Sequence, residues 1–458
     1  MITVFSDRRL RVWPLVVAMS LSPLAAADEK SAPSAPDEAP QLTEHGDKNK
    51  KAKDEKSKDG KDEKVAEGWH REGFSLRKGK NRIDLTGYAQ ADFRDFSWEV
   101  QGDELAEERS EGREIRRSRF GLQGEFGKVS FEVAYDPREA EEGSHLKDAT
   151  LGYQFSKKFG ILVGHFKPPI SQEFLTSAAK TDFVERAMLT NVAPDRDWGA
   201  AVSGEVGRAE YAAGVFEGDG DGGGNIQRAE TSAAARLSVK IVKGLSVAAA
   251  YMHSTTKPAA RVAGGTSEPP AEGASGTALS GFTFWNRAHV KGTRNRIGTD
   301  LVYLRGPFRI RAEFLQAQDQ REGQGSTGQD IPDIRARGWT LGGSYVLTGE
   351  KKGSTVEPKK SIFQGGMGAL EVVARIEGLK FDDTGDPSGF AGYGNRARNI
   401  APSGAKAIEA GLNYWPSNFM KFQGSALWES YNDPLIAPQP GKTGKYFTLL
   451  ARIQLMVP

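Results

Sequence analysis

The run Arg82-Ile83-Asp84-Leu85-Thr86-Gly87-Tyr88-Ala89-Gln90-Ala91-Asp92-Phe93-Arg94 alternates without a break. Ile83, Leu85, Gly87, Ala89, Ala91 and Phe93 form one phase. Arg82, Asp84, Thr86, Tyr88, Gln90, Asp92 and Arg94 form the other. A helix returns its apolar residues about every 3.6 positions, so a long run with a repeat of two is a strand. The pattern recurs at 129–135, 198–206, 233–241, 308–314, 339–347, 370–376, 422–428 and 447–455. Less regular strands are expected near 113–124, 145–155, 159–167, 208–217, 245–254, 295–304 and 405–415. The total is about sixteen, the size class of water-filled membrane barrels.

A soluble sandwich also alternates, and three features separate the two folds. The strands run about ten residues, near the span of a tilted transmembrane strand. Short connections (Gly127-Lys128, Lys157-Lys158, Gly207-Arg208, Lys243-Gly244, Gly306-Pro307) alternate with long ones at 218–230, 254–294, 319–335, 382–404 and 432–445. That is the turn-and-loop rhythm of outer-membrane barrels. The third feature is an export signal. Arg8, Arg9 and Arg11 precede an apolar run at 12–24, and Ala25-Ala26-Ala27 fits a cleavage site, so residues 1–27 read as a signal peptide. The expected fold is an all-β transmembrane antiparallel barrel over residues 71–458. Residues 28–70 are Ser/Pro/acid-rich and then a mixed Lys/Asp/Glu run. They read as a disordered or weakly helical periplasmic spacer, with electrostatic contact to the cell wall as the sharper alternative.

Composition removes several function classes. The 62 basic and 60 acidic residues nearly cancel, which gives no general reason to bind nucleic acid. With 0 Cys there is no disulfide, thiolate metal site or thiol nucleophile. His145, His165, His253 and His289 stand beside no nucleophile motif, so an enzyme, such as a barrel hydrolase, is not expected. The loop Glu217-Gly218-Asp219-Gly220-Asp221-Gly222 has spaced oxygens but lacks the closing Glu of a calcium loop. No cofactor or metal is expected.

One segment breaks the rhythm. After His165-Phe166-Lys167-Pro168-Pro169, residues 170–196 carry Phe174, Leu175, Phe183, Val184, Met188 and Leu189. A loop with this much apolar surface must pack on something. Inside a barrel it would fold inward, rest on the wall and narrow the lumen; the alternative is an external lid or a contact between subunits.

Several stretches carry a resemblance: Arg116-Arg117-Ser118-Arg119-Phe120-Gly121-Leu122-Gln123-Gly124, Phe131-Glu132-Val133-Ala134-Tyr135-Asp136, and Gly164-His165-Phe166-Lys167-Pro168-Pro169-Ile170 followed by Glu185-Arg186. Trp339-Thr340-Leu341-Gly342-Gly343-Ser344-Tyr345-Val346-Leu347-Thr348-Gly349-Glu350 and Gly411-Leu412-Asn413-Tyr414-Trp415 continue it. In this order they resemble the phosphate-selective porin O and P family over roughly residues 80–458. The resemblance implies a sixteen-stranded homotrimeric barrel in the outer membrane, in contact with its lipid. It also implies an inward third loop and passive diffusion of small inorganic anions, with phosphate or polyphosphate preferred. A general or sugar-type diffusion porin, and a structural barrel tethering the membrane to the cell wall through residues 28–70, are the alternatives. The chain departs from the pattern at its end, Leu455-Met456-Val457-Pro458, where such barrels usually finish on an aromatic residue.

An anion path needs fixed cations in a low-dielectric constriction, and Arg suits phosphate through its permanent charge and two-pronged donor geometry. Arg117 and Arg119 share the polar phase and are expected to face the lumen near Lys167, Lys180 and Arg186 of the loop. Arg116 falls on the other phase and needs a bulge to join them. Arg309 and Arg311 are further candidates on a later strand.

Overall fold

The computed structural model describes residues 66–70, 73–96, 111–138, 145–218, 231–256, 273–288, 290–323, 330–382, 403–432, 437–438 and 444–457. The signal peptide, the spacer up to residue 65 and the acidic loop beyond Gly218 lie outside these residues. The strands are β1 (Ala66–His70), β2 (Gly73–Lys78), β3 (Asn81–Phe96), β4 (Glu111–Phe126), β5 (Val129–Tyr135), β6 (Leu146–Ser156), β7 (Phe159–Phe166), β8 (Asp197–Val206), β9 (Ala209–Glu217) and β10 (Thr231–Val242). They continue with β11 (Leu245–Thr256), β12 (Gly276–Thr277), β13 (Thr283–Trp285), β14 (Gly292–Arg305), β15 (Phe308–Arg321), β16 (Ile331–Val346), β17 (Ala369–Asp382), β18 (Ser403–Ser417), β19 (Met420–Tyr431) and β20 (Lys445–Val457).

Each of β3–β11 and β14–β20 pairs antiparallel with its neighbours, and β20 returns to β3 with Val457 opposite Gly87 and Thr448 opposite Phe96. The result is a closed barrel of sixteen strands. Closure leaves no unpaired edge, the condition for strands to cross lipid. No described helix is long and apolar enough to do so.

The phases fall as the alternation requires. Leu85, Phe93, Phe120, Leu122, Leu151, Leu237, Ile297, Leu341, Leu412 and Leu455 face outward and are exposed. Asp84, Gln90, Asp92, Arg117, Arg236, Arg309, Glu371, Arg375 and Arg452 face inward and are buried. A polar interior within an apolar exterior inverts the order of a soluble protein and is the arrangement of a membrane barrel.

The inner wall is not uniformly polar. Ala201, Ala234, Ala250, Ala317, Ala336, Ala405 and Ala407 sit on the inward phase and form a seat of small side chains. On that seat rest Ile170, Val184, Met188, Leu189 and Val192 of the β7–β8 loop, each worth roughly 1.5–3 kcal/mol when taken out of water. The long connection therefore folds inward, as its apolar content requires. Gly164 lies in β7 two residues before the strand ends: at φ 131° its backbone suits glycine, and a β-carbon there would lie 2.0 Å from the Ala149 carbonyl oxygen.

Three features differ from the expectation. Strand pairing begins at Ala66, within the stretch assigned to the spacer: β1 pairs with β2, and β2 pairs with residues 81–84 of β3, just beyond the reach of β20. Backbone pairing explains this, since charge-rich composition says nothing about an available strand edge. The expected loop at 254–294 contains the hairpin β12–β13. The connection between β16 and β17, at the end where the other turns are short, spans residues 347–368.

A β-carbon on Gly338 would lie 2.6 Å from Leu189 Cβ and 2.7 Å from Leu189 Cα, so the loop rests directly on the β16 backbone. Gly338→Val should leave the barrel closed, as read by heat-modifiable mobility, yet lift the loop and raise single-channel conductance. Unchanged conductance in a folded Gly338→Val barrel would show that the loop does not set the width.

Candidate functional site

The β7–β8 loop crosses the lumen as a chain of tacks. Its short helix α1 (Gln172–Leu175) starts at Ser171, whose Oγ accepts from Phe174 N and donates to Glu313 Oε1 at 2.6 Å. Glu173 N donates to Glu313 Oε2 at 2.7 Å, and Arg236 donates to Gln172 Oε1 at 2.9 Å. Further along, the Asp182 carbonyl accepts from Asn413 Nδ2 at 2.9 Å and Gln423 Nε2 at 3.0 Å. The Glu185 carbonyl accepts from Arg375 at 2.9 Å, and Met188 N donates to Glu377 at 2.9 Å. Arg196 closes the loop with a two-pronged contact to Asp148 at 3.0 and 3.1 Å. Donors and acceptors buried in the lumen are thereby satisfied mostly by the wall, as their removal from bulk water demands.

Two loop carboxylates reach different walls. Glu185 Oε1 lies 2.7 Å from Arg94, 3.1 Å from Arg116 and 3.8 Å from Arg452. Arg452 also binds both oxygens of Asp92 at 2.6 Å. Arg116 enters this group through a bulge: Gln90 faces Arg117 while Ala91 faces Ile115, so Arg116 is the extra residue that re-aims across the phase. Arg117 lies buried beside it and donates to Gln90 Oε1 at 3.3 Å. Three guanidinium groups (Arg94, Arg116, Arg452) thus meet Glu185, Arg452 also meets Asp92, and the Arg117 charge acts on Glu185 without a direct contact, with Glu114 3.4 Å from Arg94 at the margin.

Asp182 reaches other strands. It pairs with Arg309 and, at 2.7 Å, with Lys352 from the β16–β17 connection. Lys352 also lies 2.5 Å from Glu371. Arg311 sits 3.8 Å from Glu173. These groups enclose a cavity of about 30 Å³ lined by Glu173, Asp182, Phe183, Arg309, Arg311 and Arg375, room for about one water and not for a solvated ion. Of the expected cations, Arg309 and Arg311 thus lie with the loop carboxylates Asp182 and Glu173, while Arg117 lies with Glu185.

The remaining candidates lie on or beside the loop. Lys167 and Arg186 hold Phe174 between them, at 4.7 and 5.6 Å from its ring, and both donate to its carbonyl oxygen, at 2.5 and 3.1 Å. Phe174 is thus a platform for two cations, where the apolar pattern suggested a wall contact. Arg186 also donates to the carbonyls of Glu173 and Thr176. Arg119 lies 3.7 Å from Asp136 and 5.7 Å from the Tyr88 ring. Lys180 ends a 3-10 turn, Ala178–Lys180, and is half-buried.

Burial alone would raise the Glu185 carboxyl, but Arg116, Arg94, Arg117 and Arg452 outweigh it and hold the group below the usual carboxylate range. Asp182 behaves alike: burial opposes its charge, and Arg309, Lys352 and Arg311 push it well below its ordinary value. Burial, with Arg117 and Arg196 as like charges, lowers Arg186 to about 10 against the opposite pull of Glu173, so it stays cationic at neutral pH. The β12–β13 hairpin covers the loop from the other end. Asn191 Nδ2 donates to the Thr277 carbonyl at 2.8 Å, and Arg94 donates to the Ser280 carbonyl at 3.3 Å.

The profile of the phosphate-selective porin O and P family matches residues 83–456. The chain belongs to that family. Two solved structures agree on the fold of this porin. OmpT of Vibrio cholerae, expressed in the outer membrane, is 12% identical with a TM-score of 0.51, over 83% of this chain and 99% of its own. The in-vitro folded trimer form of that protein gives 12% and 0.51, over 82% and 100%. An anion-selective porin from Comamonas acidovorans gives 14% and 0.49, over 82% and 99%. No curated protein matches the chain in sequence. The β7–β8 loop of this porin folds inward, with Arg117 and Arg119 on β4 and Lys167, Lys180 and Arg186 on or beside the loop. The hairpin β12–β13, Lys352 and the pairing of Asp182 with Arg309 were not foreseen. The isolated Lys352 has no periodicity to announce it, although the length of 347–368 is itself a signal.

The depressed carboxyl groups of Asp182 and Glu185 fix the sign of a pH effect. A carboxylate held low when folded contributes stability that is present above its unfolded pKa, about 4. That contribution is lost only as pH falls through the lower folded value. Asp182 and Glu185 therefore keep their charge, and their hold on the wall, from about pH 7 to about pH 5. Glu185→Gln should move the reversal potential further toward anions by releasing Arg94 and Arg116. A shift toward cations in Glu185→Gln would contradict the placement of this charge.

Proposed function

We propose that this porin is a passive diffusion channel for small anions, with phosphate or polyphosphate-like species preferred, working as a homotrimer. One observation carries the reading: Arg94, Arg116, Arg117 and Arg452 gather on one stretch of wall where the loop carboxylate Glu185 reaches it, beside Asp92 and Glu114. Arg119, Lys167, Lys180 and Arg186 extend this cationic side along the wall and the loop. Around Asp182 and Glu173, carboxylates pair with Arg309, Arg311 and Lys352 and help to hold the loop in place.

The mechanism follows from these charges. A hydrated anion entering the narrowed lumen loses water on the loop side. Guanidinium groups replace it with paired N–H donors that stay charged throughout. Each cation changes the ion's energy by roughly 1–4 kcal/mol at about 4 Å, for effective dielectrics between water and a protein surface. Several such charges in sequence let the anion pass from one to the next, and the carboxylates within the group keep any single site from holding it too tightly. The same field raises the barrier for cations. The homotrimer rests on family membership and on the trimeric form of the V. cholerae neighbour.

Reversal potential under a KCl gradient tests the reading, followed by titration with phosphate. The channel should favour chloride, and phosphate should reduce the chloride current in a dose-dependent way. Arg117→Glu with Arg119→Glu should shift the potential toward cations and weaken the phosphate effect, with Lys180→Glu acting in the same direction but less. If the double variant folds and keeps full anion preference, the path lies elsewhere on the wall.

A further inference from the structure

The connection from β16 to β17 has two halves that part at the barrel rim. The first half enters the lumen, where Lys352 meets Asp182 and Glu371, and Val356 packs with Val346, Ala369, Trp415 and Met456. The second half turns outside. Tyr414 belongs to the outward phase of β18 with Ile408 and Leu412, and its hydroxyl donates to the Met367 carbonyl at 3.0 Å. A β-carbon on the neighbouring Gly368 would lie 3.0 Å from the Tyr414 ring. This half carries a 3-10 turn, Ile362–Gln364. Phe363 is 71% exposed and Met367 79%, the highest values among the large apolar residues described, with Ile362 beside them. Around them Lys351, Lys359 and Lys360 are exposed, against one exposed carboxylate, Glu357; Glu350 is buried and accepts from Thr348 Oγ1. Lys359 Nζ donates to the Thr348 carbonyl at 3.0 Å, and Lys360 Nζ stands 3.9 Å from the place of a β-carbon on Gly365.

Large apolar side chains held this far into solvent by a polar turn need a cover. They lie next to the outward belt of Leu412 and Tyr414, which faces acyl chains, and the lysines beside them match anionic headgroups in sign. We propose that residues 359–367 form an interfacial foot. Ile362, Phe363 and Met367 enter the phospholipid leaflet at the short-turn end of the barrel, and Lys351, Lys359 and Lys360 meet its phosphates. Long lysine side chains suit this place because their stems stay apolar while the ammonium reaches the headgroup layer. Since the first half of the same connection pairs with Asp182, the foot also ties the loop inside the lumen to the membrane outside. The inference rests on the barrel's being in a membrane and not on its anion preference.

The chain has 0 Cys, so one introduced thiol reports from one place. Met367→Cys and Phe363→Cys would each carry a nitroxide label in the full-length barrel. Lys158→Cys in the short β6–β7 turn serves as the aqueous reference, and the vesicles hold phosphatidylethanolamine and phosphatidylglycerol. Paramagnetic relaxation by oxygen and by a water-soluble nickel chelate then reads depth. The foot predicts an oxygen-to-nickel ratio several-fold above that at Lys158, with heat-modifiable mobility confirming the fold. Lys359→Glu with Lys360→Glu should lower that ratio in phosphatidylglycerol vesicles and leave it unchanged in purely zwitterionic ones. Nickel access equal to Lys158 would overturn the proposal. Shielding from both reagents with spin–spin broadening would overturn it in favour of a second copy of the chain. A lysine variant without effect in anionic lipid would remove the phosphate contacts.

Discussion

Lipid offers no hydrogen-bond partner, and the structure follows from how the backbone meets that constraint. β3 must find a ladder on both sides, and it does so with β4 and, across the whole length of the chain, with β20. Once Val457 lies opposite Gly87 the cylinder is closed, and the period of two then assigns every side chain to lipid or lumen. A slip of one residue would send Asp92, Arg117 and Arg452 outward together, so the register is held by the cost of charge in hydrocarbon as well as by hydrogen bonds.

The lumen created in this way is too wide and too polar to be filled by wall side chains alone. The β7–β8 loop fills it by using two kinds of surface at once. Alanines on the inward phase receive its apolar residues, while buried charges on the remaining wall receive its carboxylates and backbone. In the proposed channel, docking and anion passage draw on the same cations. Arg94 and Arg116 hold Glu185, and the proposal gives them the field an anion meets as well. A stronger carboxylate grip would fix the loop more firmly and weaken the field that the proposal assigns to these cations.

The β16–β17 connection joins the inside and outside of this arrangement. Its Lys352 supplies a counter-charge to Asp182 from the end opposite the β12–β13 hairpin, so the loop is held from above, from below and from the wall. Each hold is an ion pair or hydrogen bond removed from bulk water, where such contacts are less screened than at a surface.

The sequence by itself determined the strands, their phases and the inward loop, because those depend on local period and on apolar content. It placed Arg117 and Arg119 on the lumen side and required a bulge for Arg116, and the bulge is present opposite Gln90 and Ala91. The alanines at 201, 234 and 336 were also in view, but nothing local says that a small residue on a polar phase is a seat. What only the tertiary structure decided is which group each cation meets. Arg117 and Arg309 look alike in sequence, each an arginine on the polar phase of a strand. Closure and loop folding bring Asp182 to Arg309 and set Arg117 against Gln90, within the field of Glu185. That difference is set by residues far apart in the chain meeting across the lumen, and a repeat of two carries no information about which charge lies opposite.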